Sequence, residues 1–165
     1  MHKFIGSLIL IVCSTFSFSQ TENKNLNEQL GEMKKYFLAG DYDNFAEYTY
    51  PKVIEMMGGR SNMVNATKQA MDKMKNDGFT FKDLSFKDPS SFLKKDGELQ
   101  CTLTQQLTMN TPQGKIESEY TLIALSSDDG LNWTFIDTSG KDKQTMLKYF
   151  PNLHKEIIIK PRKQK

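Results

Sequence analysis

The sequence has few of the residues on which disulfide scaffolds, metal centres and nucleic-acid interfaces depend. It contains two cysteines and two histidines in 165 residues, and its formal net charge is only +2. Two of these four side chains, His2 and Cys13, lie in the first thirteen residues, so a chain processed after them keeps Cys101 and His154 alone. One cysteine excludes an intramolecular disulfide, and one imidazole excludes a His-rich or Cys/His metal site. The near-neutral charge argues against a dedicated nucleic-acid-binding protein.

The motifs of common catalytic and phosphate-binding sites are missing as well. The sequence has no Gly-rich phosphate loop, no Gly-x-Ser-x-Gly and no His-Glu-x-x-His, and a His-based catalytic dyad would have to use His154. We therefore predict no metal and no cofactor. The composition, 38% hydrophobic and 25% charged, is typical of one ordinary globular domain.

No apolar run is long enough to cross a bilayer, which needs about 20 apolar residues. The run over 4–12 follows a short positive start and precedes the small residues Ser17 and Ser19, a pattern typical of a secretory signal at 1–19 with cleavage before Gln20. It predicts a protein exported to the periplasm or beyond the cell; the alternative is an amphipathic or buried helix. Cys13 follows a valine, whereas a lipid-attachment cysteine usually follows a small residue, so the pattern does not favour a lipid anchor.

Helical spacing dominates the first half of the chain. Residues 20–25 are polar and predict a disordered leader, after which Asn25 begins a capping box. The apolar residues of the first helix recur at intervals of three and four: Leu26, Leu30, Met33 and Phe37. A short second helix follows Gly40 and is limited by Pro51, and 52–57 predicts a short extended segment. Ser61 begins a third helix that ends at Gly78.

From Phe79 onwards the period is two, which predicts strands. A slip in spacing between Phe81 and Leu84 predicts a β-bulge. Over 98–110 the apolar residues, among them a buried and unreactive Cys101, occupy one face, and glutamines and threonines occupy the other. Turn signals separate this strand from 115–126 and 133–138, so we predict an antiparallel meander with one buried face. A helix over 141–150 and a solvated basic tail complete the segment 141–165.

Five local motifs accompany this order of elements: Gly40-Asp41-Tyr42-Asp43, Tyr50-Pro51, Gly58-Gly59, Lys75-Asn76-Asp77-Gly78 and Trp133-Thr134-Phe135-Ile136-Asp137. With the element order, they resemble the nuclear transport factor 2-like superfamily, which includes ketosteroid isomerases, polyketide cyclases and many secreted bacterial proteins. The resemblance covers 26–140 and implies an α+β fold in which three N-terminal helices pack on a curved antiparallel sheet, a cystatin-like cone, followed by a short C-terminal helix. Because the superfamily holds enzymes and binding modules alike, the fold does not decide the function.

A pocket between the helices and the concave sheet face follows from this resemblance. Its candidate lining residues are Gln105, Tyr120, Asp137, Tyr50 and Trp133. Gln105 interrupts the apolar row of its strand, so it either lines the pocket, turns outward at a bulge or bonds a helix end. Asp137 shares the parity of Trp133 and is a weak candidate for a general base; the alternative is a cap for the turn at 138–140. Tyr120 either donates to a bound oxygen or packs with its hydroxyl at the rim.

The superfamily's usual Asp/Tyr or His/Asp catalytic set cannot be placed residue by residue on this sequence. We therefore expect an exported, non-catalytic domain that binds a small apolar ligand or a protein partner, with no nucleic acid and no membrane span. The first alternative is an isomerase- or cyclase-like enzyme with Asp137 as general base and Tyr120 or Gln105 stabilising an oxyanion. The second is a structural homodimer formed through the Thr/Gln-rich outer face of 98–110.

Overall fold

The computed structural model describes residues 16–165, so most of the predicted signal peptide, 1–19, lies outside the described residues. The elements in chain order are α1 Phe16–Ala39, α2 Tyr42–Phe45, a 3-10 turn Ala46–Tyr48, α3 Pro51–Met56, α4 Arg60–Asn76, β1 Thr80–Lys87, β2 Leu93–Lys95, β3 Glu98–Thr111, β4 Gly114–Ser126, β5 Thr134–Asp137, α5 Lys143–Tyr149 and β6 Lys163–Gln164. The fold is α+β, as predicted, with a six-stranded antiparallel sheet. No helix in the described range is both long and apolar enough to cross a membrane.

The sheet is built around the long β3–β4 pair. Its main path runs β1-β3-β4-β5, while β2 pairs with β3 and β6 pairs with β4. The predicted bulge is confirmed, since the β1–β3 register shifts between Phe81 and Asp83. Strand β2 was not predicted; it forms a hairpin with β3 through Asp96 and Gly97, whose φ values of 52° and 86° are those of a tight two-residue turn.

The helices cover one face of the sheet. Leu103 pairs with Leu122 across β3 and β4, which sets the odd residues of β3 and the even residues of β4 on the same side. That side forms a core with the predicted stripe of α1: Leu26, Leu30, Met33, Leu99, Cys101, Leu103, Leu122, Ala124, Trp133 and Phe135. The predicted burial of the apolar β3 face is confirmed, because Leu99, Leu103 and Leu107 are 9%, 3% and 8% exposed.

The C-terminal segment covers the opposite face. Its apolar residues form a second core with side chains of β4 and β5: Ile123, Leu125, Ile136, Met146, Phe150, Leu153 and Ile157. Gln100, fully buried on this face, is satisfied by that segment, because it donates to the Asn152 carbonyl at 2.9 Å and accepts from the His154 amide at 2.8 Å. The segment therefore makes the sheet the middle of three layers and covers part of the outer face on which a homodimer was predicted.

Several local expectations differ from the structure, among them the predicted start of the third helix at Ser61, since α4 begins at Arg60 after Gly59 without a side-chain cap. Helix α1 runs through the predicted disordered leader, 20–25, and Asn25 lies inside this helix, where its side chain donates to the Gly130 carbonyl at 3.0 Å instead of capping. The predicted extended segment 52–57 is wrong, because α3 occupies it. Pro51 is the first residue of that helix, where a backbone N–H would have no partner within the helix, so its absence in proline costs no hydrogen bond. Tyr50 before it is extended. The basic tail is exposed, as predicted, but Lys163 and Gln164 pair with β4.

Candidate functional site

A cavity of about 420 Å³ lies between the helices and the sheet. Its volume is within the range of roughly 300–1,000 Å³ that is typical of small-molecule sites. All four N-terminal helices and the strands β1, β3, β4 and β5 contribute to its lining. Most of the lining is apolar: Met33, Phe37, Phe45, Val53, Met57, Met63, Met71, Phe81, Leu84, Leu107, Leu122 and Phe135.

Four polar side chains meet where the strands line this cavity: Gln105, Tyr120, Asp137 and Ser139. The strand register explains why three of them are close. Gln105 of β3 stands directly opposite Tyr120 of β4, and Asp137 of β5 stands opposite Leu122, two residues further along β4 on the same face. The structure therefore brings together three of the five polar or aromatic residues that the sequence offers as pocket candidates.

Asp137 is held in position by donors on both of its oxygens. Its Oδ2 accepts from Nε2 of Gln105 at 3.1 Å. Its Oδ1 accepts from the backbone N–H of Ser139 at 2.6 Å and from the Ser139 hydroxyl at 3.4 Å. The carboxylate therefore caps the turn after β5, as the alternative interpretation predicts, and it also lines the cavity.

Burial raises the pKa of the Asp137 carboxyl above its usual value, while the hydrogen bonds from Ser139 and Gln105 and the charge of Lys141 act in the opposite direction. The side chain is nevertheless accessible to water. Asp137 is also one of the residues that line the cavity. Among the side chains that the structure describes, none forms an ion pair with Asp137.

Tyr120 is a neutral phenol at physiological pH. Burial, together with the neighbouring Asp137, raises its pKa to about 12, and the Gln105 amide opposes the rise. A neutral phenol both donates and accepts hydrogen bonds. Tyr120 therefore adds a donor to a site whose other cavity-facing groups are a carboxylate, an amide and a hydroxyl.

Two predicted pocket residues lie elsewhere. Trp133 is only 1% exposed, its indole N–H donates to the Gly130 carbonyl at 3.1 Å, and its ring stacks on Phe92. The hydroxyl of Tyr50 accepts from Asn152 at 2.8 Å and donates to Glu98 at 3.3 Å, so it anchors the C-terminal segment. Both residues act in packing, and neither lines the cavity.

Several residues of the cavity lining were not predicted from the sequence. Ser139 follows β5 in a turn, where strand parity gives no information about direction. The four cavity methionines Met33, Met57, Met63 and Met71 have core-like helical spacing, and this spacing alone does not distinguish a cavity wall from a filled core. The methionine content was the available signal, because flexible thioether side chains are typical of adaptable binding surfaces.

No protein-family model matches the chain, and no curated protein is similar to it. Within residues 16–165, no three His, Cys, Asp or Glu side chains converge as a metal site requires.

Proposed function

We propose that this chain is an exported, non-catalytic domain of the nuclear transport factor 2-like, cone-shaped type, and that it binds a small apolar or amphipathic ligand between its helices and its sheet. The observation that carries the proposal is a cavity of about 420 Å³ with apolar walls and one group of polar side chains. Apolar walls supply affinity through burial, and a few fixed polar groups supply orientation. Both parts come mostly from strands and helices, and Ser139 comes from the turn after β5.

The arrangement of Asp137 supports binding over proton transfer. Three donors already bond its two oxygens, and two of them come from Ser139, the turn residue that the carboxylate caps. A group fixed in this way orients a ligand well. A general base must instead reach the proton that it removes, and hydrogen bonds to its ionised form lower its basicity.

A neutral solvatochromic dye tests the proposal. We expect Nile red to bind the protein with a blue-shifted, enhanced emission at about one dye per chain, because it is apolar and of suitable size. Thr67 on α4 lines the cavity and Asn65 on the same helix is exposed outside it. Thr67→Trp should fill the cavity and abolish binding, while Asn65→Trp should leave it unchanged. Equal binding by both variants would place the dye elsewhere and remove the support for the proposal.

One observation favours an isomerase- or cyclase-like enzyme as the second candidate. Asp137, Tyr120 and Gln105 share one cavity, and burial raises the pKa of Asp137 in the direction that suits a base. An enzyme of this type would exchange α-protons of a β,γ-unsaturated cyclic ketone with D₂O, which NMR detects. Exchange that is lost in Asp137→Asn would favour the enzyme, whereas our proposal expects only the uncatalysed rate.

A protein partner or a second copy is the remaining alternative. The outer face of β3 has less accessible surface for a partner than the sequence predicts, because Gln100, Thr102 and Thr104 are buried within the chain. Gln106 and Thr108 remain partly accessible on that face. Light scattering over a range of protein concentrations distinguishes the cases, and a dimer that is disrupted by charged residues at 106 and 108 would support assembly through this face.

A further inference from the structure

The charge balance of the cavity narrows its ligand to one chemical class. Among the lining residues that the structure describes, Asp137 is the only ionisable group apart from the neutral phenols Tyr48 and Tyr120, and none of them is Lys, Arg or His. No cation among the described side chains pairs with Asp137 within ion-pair distance. Because Asp137 keeps solvent-accessible surface and has no such cation, a ligand that carries a positive charge would gain a charge-assisted contact with its carboxylate.

The hydrogen bonds around Asp137 define where such a ligand would bind. Oδ1 accepts two bonds from Ser139, whereas Oδ2 accepts one bond, from Gln105. A carboxylate oxygen accepts two hydrogen bonds in its plane, so Oδ2 keeps one acceptor position. Because the Asp137 side chain is accessible and lines the cavity, this position is open to a donor inside it.

The walls of the cavity suit an organic cation as well. Rings of Phe37, Phe45, Tyr48, Phe81 and Phe135 line it, and aromatic faces attract an ammonium group. Four methionine thioethers add polarisable surface for an alkyl or aryl body. An anion, in contrast, would meet the Asp137 carboxylate and, among the described lining residues, no basic side chain, so the site disfavours fatty acids and other carboxylates.

We infer that the cavity binds amines, namely a primary or secondary ammonium head bonded to Oδ2 of Asp137 with an apolar body among the methionine and aromatic side chains. This inference rests on the proposed function, because it names the ligand class of the same site. It requires no chemistry on the ligand. The amine binds as its ammonium ion and leaves unchanged.

Three probes with one body and different heads test the inference by isothermal titration calorimetry at pH 7.5: 4-phenylbutylamine, 4-phenylbutanol and 4-phenylbutyrate. We expect the amine to bind about tenfold more tightly than the alcohol, because its hydrogen bond to Asp137 is charge-assisted. The carboxylate should bind more weakly than the alcohol. In Asp137→Asn the amine should lose its advantage while the alcohol keeps its affinity, which also shows that the cavity of the variant is intact.

The results of the Nile red and calorimetry experiments distinguish failure of the amine class from failure of the proposed binding function. If Nile red binds and the three probes bind equally, or the carboxylate binds most tightly, the amine class is wrong and the binding function stands. If neither Nile red nor any probe binds, the binding function fails and the amine class fails with it. The comparison on the unaltered protein decides the class even if the Asp137→Asn variant does not fold.

Discussion

The side chain of Gln105 on β3 donates to the carboxylate of Asp137 on β5 at 3.1 Å, across the intervening strand β4. Side chains in a sheet usually contact those of a directly adjacent strand. Strands β3 and β5 are not adjacent and share no backbone hydrogen bonds, so this side-chain bond links them directly. It passes beside Tyr120, which stands opposite Gln105 on β4. The bond fixes the direction in which the carboxylate faces the cavity.

Removing the Gln105 donor should destabilise the protein. Gln105→Leu removes the hydrogen bond to Oδ2 of Asp137, and such a bond contributes about 0.5–1.5 kcal/mol net. The neighbouring Gln106 is on the outward face, so Gln106→Leu is the matched control and should change the free energy of unfolding by less than about 0.5 kcal/mol. Urea unfolding measures both. Equal values for the two variants would show that the Gln105–Asp137 bond contributes nothing to stability.

The raised pKa of Asp137 predicts a pH dependence of stability. The folded state holds this proton more tightly than the unfolded chain does, so the contribution of Asp137 is greatest at low pH and is lost as the pH rises from the unperturbed pKa of 3.8 towards the raised value. Asp137→Asn removes this loss. The melting temperature of the variant relative to the unaltered protein should therefore increase between pH 4 and pH 7.

Asp142 is the control, because its pKa is shifted in the opposite direction to that of Asp137. It caps α5 by accepting from the Thr145 amide at 2.8 Å, and this bond lowers the pKa of its carboxyl. Its contribution is present above the unperturbed pKa and is lost as the pH falls, so Asp142→Asn should show its largest relative deficit near neutral pH. Parallel pH profiles for the Asp137 and Asp142 variants would contradict the electrostatic account of both sites.

Two adjacent isoleucines test the third layer of the fold. Ile157 is 1% exposed in the core of the C-terminal segment, whereas Ile158 is 63% exposed. Ile157→Ala should lower the free energy of unfolding by about 2–5 kcal/mol, as loss of a buried isoleucine does, and Ile158→Ala by less than about 0.5 kcal/mol. Denaturant unfolding gives both values. A small effect of Ile157→Ala would mean that the segment does not pack on the sheet in solution.

Cys101 should be inert in the native protein. Burial raises the pKa of its thiol to about 12, and the thiolate is the reactive form. Iodoacetamide at pH 8 should leave Cys101 unmodified until guanidinium unfolds the chain, and peptide mapping distinguishes its label from one on Cys13. Rapid native labelling of Cys101 would show that the apolar face of β3 opens far more readily than its packing implies.

The strands were the predictable part of the fold. Alternation over β3 divided its residues between two faces correctly, although the prediction of one buried face is wrong, because Gln100, Thr102 and Thr104 on the other face are buried as well. Parity along β3, β4 and β5 made Gln105, Tyr120 and Asp137 candidates for the inner face. Parity describes only the side of a sheet, however. Trp133 shares that side and lies at the end filled by Phe92 and Leu26, beyond the cavity.

What the sequence could not predict depends on contacts between distant segments. The run Ile157-Ile158-Ile159 has no helical or strand period, so nothing local indicates that its first residue packs on β4 and β5. Tyr50 is bonded to Glu98 and Asn152, which are 48 and 102 positions away in sequence. Pro51 limits the second helix, as predicted, but it also begins α3, and the short apolar segment after it carries no signal that separates a helix from a strand.

The methionines offer the most direct test of the binding site. Methyl-labelled methionine gives one NMR signal per residue, and Met33, Met63 and Met71 line the cavity while Met146 lies in the core of the opposite face. Titration with 4-phenylbutylamine should shift the three cavity methyl signals in a saturable way and leave Met146 unchanged. Shifts at Met146 with none at Met33, Met63 and Met71, or no saturable shift at any of them, would contradict ligand binding between the helices and the sheet.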